Sequence, residues 1–207
     1  MKIAVFGSGS VGSKLAKLFS DAGYSVLVCG KQENKEAGIL SFEAGAIACD
    51  AVALAIPFVA LQAVLPSLDK ILANKIVIDC TNPLNDDWSP LVVQDDNGHT
   101  ISAGEAVAAM LPSARVVKAF NTIFADVMSK EYHDRDGQRI SAFVAGDDTD
   151  AVNTVQVLAN AIGFAPIVAG PLVTARYIEA IAHLNIQLAV GQGGGTNAAF
   201  VYHQVRG

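Results

Sequence analysis

The chain has 207 residues, 14 Lys plus Arg against 20 Asp plus Glu, a net charge of −6, and 52% hydrophobic against only 16% charged residues. So apolar a composition excludes intrinsic disorder and suits one domain, or one domain with an appendage. The acidic balance, with no basic run, lacks the electrostatic footprint of a nucleic-acid binder.

Along the chain, an aliphatic run at residues 3–6 predicts a first strand, followed directly by a glycine-rich turn. Val11, Leu15, Leu18 and Phe19 then share one face of a helix that stops at Gly23, a residue suited to a left-handed terminator. Residues 25–29 predict the second strand. The polar stretch 31–41 is too short for a full crossover helix, and a third strand is expected near residues 39–42. Residues 51–66 are apolar except for Gln62 and are interrupted by Pro57. They are too few to span a bilayer as a helix and read as a buried strand, 51–56, followed by a helix. Residues 75–80 predict another strand, and 84–100, with Asp86, Asp87, Trp88 and Pro90, a long loop at that strand's carboxyl end, where loops tend to line ligand crevices. Ser102 with Glu105 makes a capping box before an Ala-rich helix running toward Leu111. Further strands are expected at 115–120, 140–145 and 166–169, the last two flanking a helix that opens at Asp147–Asp150 and ends near Gly163.

These strand runs are continuous rather than alternating, as in a sheet covered on both faces, and helix-length spacers imply parallel crossovers. The expected fold is α/β: a Rossmann-like, doubly wound, mostly parallel sheet over residues 1–170. A small C-terminal helical extension, 171–207, would pack on it or on a second subunit. Residues 151–207 carry only Arg176, Glu179 and Arg206 as charged residues, a deficit that favours a homodimer. No targeting signal is visible at the N-terminus, and Cys29, Cys49 and Cys80 show neither pairing nor ligand spacing. Reduced thiols in a cytoplasmic protein, with no metal site and no membrane partner, are the expectation.

Gly7-Ser8-Gly9-Ser10-Val11-Gly12 stands where a dinucleotide-binding fingerprint must stand, between the first strand and the first helix. Gly7 permits the tight turn, Gly9 lets the backbone approach a pyrophosphate, and Gly12 lets helix and strand pack closely. Unpaired N–H groups at the helix start then hold the anion. A P-loop fails by one residue, because Ser13 separates Gly12 from Lys14. At the end of the second strand an NAD binder places a carboxylate, whereas this chain has Cys29-Gly30-Lys31, with Lys35 nearby. Either lysine can meet the 2′-phosphate of NADP as a point charge, and both can equally be solvated loop residues.

Other candidates lie at strand ends: Ile56 and Pro57, Thr81-Asn82-Pro83, and Asn121-Thr122. Asn82 and Asn121 either bond a nicotinamide carboxamide or ribose, or merely cap the next segment. Lys118, inside an apolar strand, is either an interior functional amine or a snorkelling strand-end residue. No acid/base or nucleophilic set emerges. His99, His133, His183 and His203 have no ligand spacing and read as structural or solvent-exposed, so the catalytic residues stay unassigned.

The ordered series Gly7 to Gly12, Gly30-Lys31, Ala55-Ile56-Pro57, Ile78 to Leu84, Val116 to Thr122, Gly146-Asp147-Asp148, and Ala169 to Leu172 with Arg176 and Glu179 resembles the deazaflavin-dependent NADP reductase family. Its Asn-Pro and Val-Lys-Ala-Phe-Asn segments also resemble the cytosolic reductase domain of the six-transmembrane epithelial metalloreductases. The resemblance implies NADP(H) as cofactor and hydride transfer to a small-molecule acceptor, a flavin or a deazaflavin such as coenzyme F420. It implies a phosphate loop at Ser8 to Gly12, a 2′-phosphate site at Gly30, Lys31 and Lys35, and a nicotinamide region at Ile56 and Pro57. Asn82 and Asn121 would lie near the face where the second ring docks. Lys31 stands where the family usually has Arg, and Gly30 where it often has Ser. The alternative is a noncatalytic NADP-binding sensor or interaction module; a dehydrogenase of small carbonyl compounds would leave little room for its separate substrate domain after Gly170.

Overall fold

Residues that alternate in a strand point to opposite sides, and here both sides are apolar. In the computed structural model, which describes residues 1–129, 134–135 and 137–205, Ile3 and Val5 of strand β1 (Lys2–Phe6) join one hydrophobic core while Ala4 and Phe6 join the other. Helix α1 (Ser10–Asp21) covers the first core with Leu15, Leu18 and Phe19. β2 (Ser25–Gly30) and the short β3 (Ile39–Ser41) follow, then α2 (Phe42–Ala48), β4 (Ala51–Leu54), α3 (Phe58–Leu61) and β5 (Ile76–Asp79). A small hairpin, β6 (Val93–Gln94) with β7 (Thr100–Ile101), precedes α4 (Ala103–Met110) and β8 (Arg115–Ala119). A second hairpin, β9 (Asp134–Arg135) with β10 (Gln138–Arg139), leads to β11 (Ser141–Gly146), α5 (Thr149–Ala161), β12 (Ala165–Gly170) and α6 (Ala175–Ile186).

The eight long-range strands form one sheet in the order β12-β11-β8-β5-β4-β1-β2-β3. Read from β3 to β8, this is the dinucleotide-fold order 3-2-1-4-5-6, with the reversal of winding between β1 and β4. All pairs are parallel except β8 with β11. The mostly parallel, doubly wound α/β sheet expected from the aliphatic runs is therefore present, with a C-terminal helix. The antiparallel pair has a local cause: among the described residues, the connection from β8 to β11 holds a 3-10 turn (Ala125–Val127) and a hairpin but no crossover helix.

Three local expectations need correction. The helix foreseen after Pro57 is only the four residues of α3. Leu61, Leu65, Leu68 and Leu72 keep helical spacing and are all buried, but Pro66 has no N–H to donate backward and instead starts a separate 3-10 turn, Pro66–Leu68. The stretch 84–100 is not wholly loop, since β6 and most of the β6–β7 turn lie within it. Helix α2, capped by the Ser41 hydroxyl on the Ala44 N–H at 3.1 Å, was not expected at all. The caps at Ser102 and before α5 form as read: Ser102 Oγ accepts from Glu105 N–H, Glu105 accepts from Ser102 N–H, and Asp148 accepts from Ala151 N–H at 2.7 Å. No helix among the described residues is long and apolar enough to cross a membrane.

Beyond Gly170 the chain stays on the same body. α6 packs on α4, and a π-helical turn (Gln187–Gly191) continues it. The N–H groups of Gly193, Gly194 and Gly195 then fold back onto the carbonyls of Val190, Leu188 and Ala189. Gly193 and Gly195 adopt φ of +70° and +82°, the left-handed conformation that ends a helix at little steric cost. The chain returns along the start of β11, where Phe200 accepts from Ser141 N–H and Tyr202 N–H donates to Ser141 Oγ.

Candidate functional site

At the end of β1 the chain turns at Gly7, φ +120°, whose N–H donates to the Cys29 carbonyl at 2.8 Å. A Cβ on Gly7 would sit 2.4 Å from the Ala55 carbonyl oxygen, and one on Gly12 would sit 2.1 Å from that of Gly7. Both glycines are demanded by backbone meeting backbone. Gly9 differs: it is the N-cap of α1, has φ −72°, and a Cβ there would meet nothing within 4 Å. The protein's own packing does not require glycine at position 9, and space lies in front of it. No side chain caps α1 and no acidic residue lies in its first turn, so its leading N–H groups remain available to an anion. An uncapped helix start with open space before it is the arrangement that anion sites of this kind use.

From Gly9, Ser10 and Val11 a single cleft of about 540 Å³ runs along the carboxyl ends of β4, β5 and β8. Its size falls within the roughly 300–1,000 Å³ of small-molecule sites. It passes Ile56, Pro57 and Phe58, then Thr81, Asn82, Asn121 and Phe124, and is bounded by Trp88 on one loop and by Ala182, Asn185 and Ile186 of α6. Asp86 is its only charged lining residue among those described, and no Lys or Arg lines it.

The ends of β5 and β8 are tied by two asparagines. Asn82 Nδ2 donates to the Asn121 carbonyl at 2.7 Å, and Asn121 Nδ2 donates to Asn82 Oδ1 at 2.8 Å. A backbone carbonyl only accepts, so it fixes the orientation of the Asn82 amide, and that in turn fixes Asn121. Asn121 Oδ1 is then left buried with no partner among the described residues, in a residue that is 7% exposed. An unmade bond to a buried acceptor is costly, and a ligand N–H donor in the cleft would satisfy it. Neighbouring Asn185 Nδ2 donates to the Thr122 carbonyl at 3.1 Å, fixing α6 against this floor.

Below the floor lies a fully buried ion network. Lys118 Nζ is 2.8 Å from Asp79 Oδ2, 3.0 Å from Glu179 Oε1 and 2.6 Å from the Thr81 carbonyl. Glu179 also accepts from the N–H groups of Ala103 and Gly104 at the start of α4, and Asp79 Oδ1 accepts from the N–H and hydroxyl of Thr81. Burial alone would depress the Lys118 ammonium, but the two carboxylates outweigh it and hold its pKa above the ordinary value. Lys118 is therefore neither a free amine nor a snorkelling side chain. It locks β5, β8, α4 and α6 together.

The cysteines are free and buried. Burial pushes the Cys29 thiol up to about 12, and raises Cys49 and the cleft-lining Cys80 as well, which leaves them poor nucleophiles. Burial lowers the pKa of His183, against an opposing effect of Glu179. Its Nε2 is buried with no partner among the described residues, but the residue does not line the cleft. His99 is exposed beside Asp95, whereas His133 lies outside the described residues.

Of the residues singled out from the sequence, Gly9, Ser10, Val11, Ile56, Pro57, Asn82 and Asn121 meet in the cleft. Gly7, Ser8 and Gly12 form the loop around it, and Pro83 lies at the base of the adjoining loop, its carbonyl accepting from Leu91 N–H. Gly30, Lys31 and Lys35 are not among the residues that line the cleft; Gly30 ends β2, the strand beside β1, the two lysines follow it, and both are exposed. A Cβ on Gly30 would come 3.2 Å from Ile39 Cγ2, so packing within the sheet also favours glycine there. Sequence reasoning missed Phe58, Phe124 and the α6 residues, because α6 reaches the cleft only through tertiary packing. Backbone strain marks Trp88 and Phe120, both cleft residues, at φ +69° and +65°. Such conformations cost about 1–3 kcal/mol each and concentrate at functional sites.

Residues 2–83 match the family described as NADP oxidoreductase, coenzyme F420-dependent. The chain is 32% identical over 186 residues to metalloreductase STEAP3 of Rattus norvegicus, covering 87% of this chain but 36% of that protein, so it spans about a third of that relative's length. A candidate F420-dependent NADP reductase from Arthrobacter sp. FB24 superposes with a TM-score of 0.82 at 29% identity, covering 99% of this chain and 100% of the other. A hypothetical protein of Sinorhizobium meliloti superposes at 0.70 and 26% identity, covering 84% and 87%. The resemblance carried by the motifs from Gly7 to Leu172 is thereby established.

Proposed function

We propose, from the match of residues 2–83 to the coenzyme F420-dependent NADP oxidoreductase family, that this chain is an NADP(H)-dependent oxidoreductase acting on a flavin or deazaflavin-type acceptor such as coenzyme F420. The observation that carries this reading is the continuity of one largely apolar cleft from the open face of Gly9 to the Asn82–Asn121 pair. A cofactor held at one end and an acceptor at the other would share a space poor in water.

In this reading the first N–H groups of α1 hold the pyrophosphate, and Gly7, Ser8, Gly9, Ser10, Val11 and Gly12 shape the loop around it. Lys31 and Lys35, neither in an ion pair with a described residue, meet the 2′-phosphate beside Gly30. Ile56 and Pro57 exclude water from the nicotinamide end. Asn121 Oδ1 accepts an N–H from a bound ring or carboxamide, while Asn82 and Pro83 set the backbone that presents it. When bound, the nicotinamide supplies a hydride, leaving NADP⁺ and a reduced acceptor that takes any balancing proton from solvent. Such chemistry asks the protein for orientation and exclusion of water rather than for an acid or a base. The protein would act as a cytoplasmic homodimer.

The test follows NADPH and NADH oxidation by the purified protein with riboflavin, FMN, coenzyme F420, a ferric chelate and a quinone. The expected outcome is turnover with a flavin or deazaflavin and a preference for NADPH of at least about tenfold that Lys31→Ala removes. Tight NADPH binding with turnover of no acceptor would instead support the noncatalytic sensor.

A further inference from the structure

Trp88 is the only tryptophan in the chain, and its placement is not explained by the fold's own needs. Its φ of +69° is a backbone angle that bulky residues seldom adopt. The loop that carries it is closed by bonds that do not involve the indole: Leu91 N–H to the Pro83 carbonyl, Asn85 Nδ2 to Ser89 Oγ and the Pro90 carbonyl, Asp87 Oδ1 from Ser89, and Trp88 N–H to the Asn85 carbonyl. Glycine or asparagine at position 88 would make the same backbone bond with less strain. The indole is 50% exposed and stacks on no other aromatic ring among the described residues, yet it lines the cleft.

A large, flat, half-exposed side chain kept at a strained position beside an apolar cleft is what a ring-binding site uses, since an indole face gives wide contact area without needing a charge. The rest of the cleft lining includes Phe124 and Ile186 as apolar walls, and Asp86 is the charged residue among the described residues that line it. We propose that Trp88 is the stacking residue for the hydride acceptor, so that the cleft selects a planar aromatic compound. This rests on the oxidoreductase reading above. Because Asp86 is acidic and no Lys or Arg among the described residues lines the cleft, the suitable probe is riboflavin, a flavin without a phosphate.

Two variants separate stacking from folding. Trp88→Asn keeps a residue that tolerates the left-handed backbone, and Trp88→Phe keeps an aromatic face. The expected result is a riboflavin KM raised about tenfold or more in Trp88→Asn and largely restored in Trp88→Phe, with NADPH affinity unchanged in both and the thermal midpoint unchanged in Trp88→Phe and equal or higher in Trp88→Asn, where the left-handed backbone is less strained. A second readout does not depend on turnover: riboflavin bound to the NADP⁺-loaded protein should lose its emission in wild type, through contact with the indole, and keep it in Trp88→Asn at saturation. Wild-type KM and quenching in Trp88→Asn would overturn the role of Trp88 while leaving the oxidoreductase reading standing. Loss of NADPH binding in Trp88→Asn would also overturn it, by assigning the residue to the cofactor. If the NADPH-loaded wild type neither binds riboflavin nor reduces any planar acceptor, the oxidoreductase reading falls and the stacking role falls with it.

Discussion

The three glycines of the Gly7–Gly12 motif are equivalent letters with unequal duties. At Gly7 and Gly12 an added Cβ would run into backbone oxygens at 2.4 and 2.1 Å, whereas at Gly9 it would enter open space. Gly9→Ala is therefore expected to leave the urea unfolding midpoint unchanged or to raise stability by about 0.4–1 kcal/mol through the unfolded chain. The same substitution should weaken NADPH binding by at least about tenfold, because the methyl group occupies the approach of the phosphate. Gly12→Ala should lower the midpoint as well as binding. Fluorescence titration with NADPH alongside urea denaturation checks the pair. The positions of the glycines and their separate duties were expected from the motif; the backbone oxygens that crowd Gly7 and Gly12, and the open space in front of Gly9, are what the tertiary structure adds. Asn121 shows the same division. In the sequence it was either a cap or a ligand group, and only its exchange of bonds with Asn82 leaves one acceptor atom free.

Strands announced themselves more clearly than helices or directions. Runs such as residues 76–79 and 115–119 are apolar on both faces because two cores flank the sheet. The antiparallel entry of β11 was not legible, because direction is set by the connection rather than by the strand's own residues. Lys118 interrupts its strand with a charge, which fits no pattern for a buried strand. It is accommodated only because Asp79 comes from the adjacent parallel strand, Asp79 opposite Lys118 in register, and Glu179 from α6. Lys118→Met would leave two carboxylates buried without their cation. The expected loss is about 3–5 kcal/mol in denaturant unfolding, the usual size when one partner of a buried ion network is removed. A loss below about 1 kcal/mol, typical of an exposed pair, would show that the network contributes little.

For the molecule as a whole, the scarcity of charge after residue 151 acquires a location. Glu179 is buried within the chain, so on α6 Arg176 is the only charged residue facing outward, next to Tyr177, while Leu184 and the following Leu188 are about half-exposed. Other residues of the same helix line the cleft, so the extension bounds the cleft of its own chain. Its outward face is the surface through which the proposed homodimer would form. Light scattering at micromolar concentration should give a mass near twice 21.5 kDa, and Leu184→Glu with Leu188→Glu should reduce it to one chain. A monomeric wild type would contradict the assignment.

Fold class and the glycine loop were accessible from order and spacing, because backbone chemistry and strand burial leave a local record in one dimension, and the family resemblance was carried by the residue identities of the motifs. The cleft's far wall, the locked asparagine pair, the buried Lys118 network and the strained Trp88 were decided by tertiary packing. Each depends on residues tens of positions apart meeting at the carboxyl edge of the sheet, and distance in space across that edge leaves no period or motif in the chain.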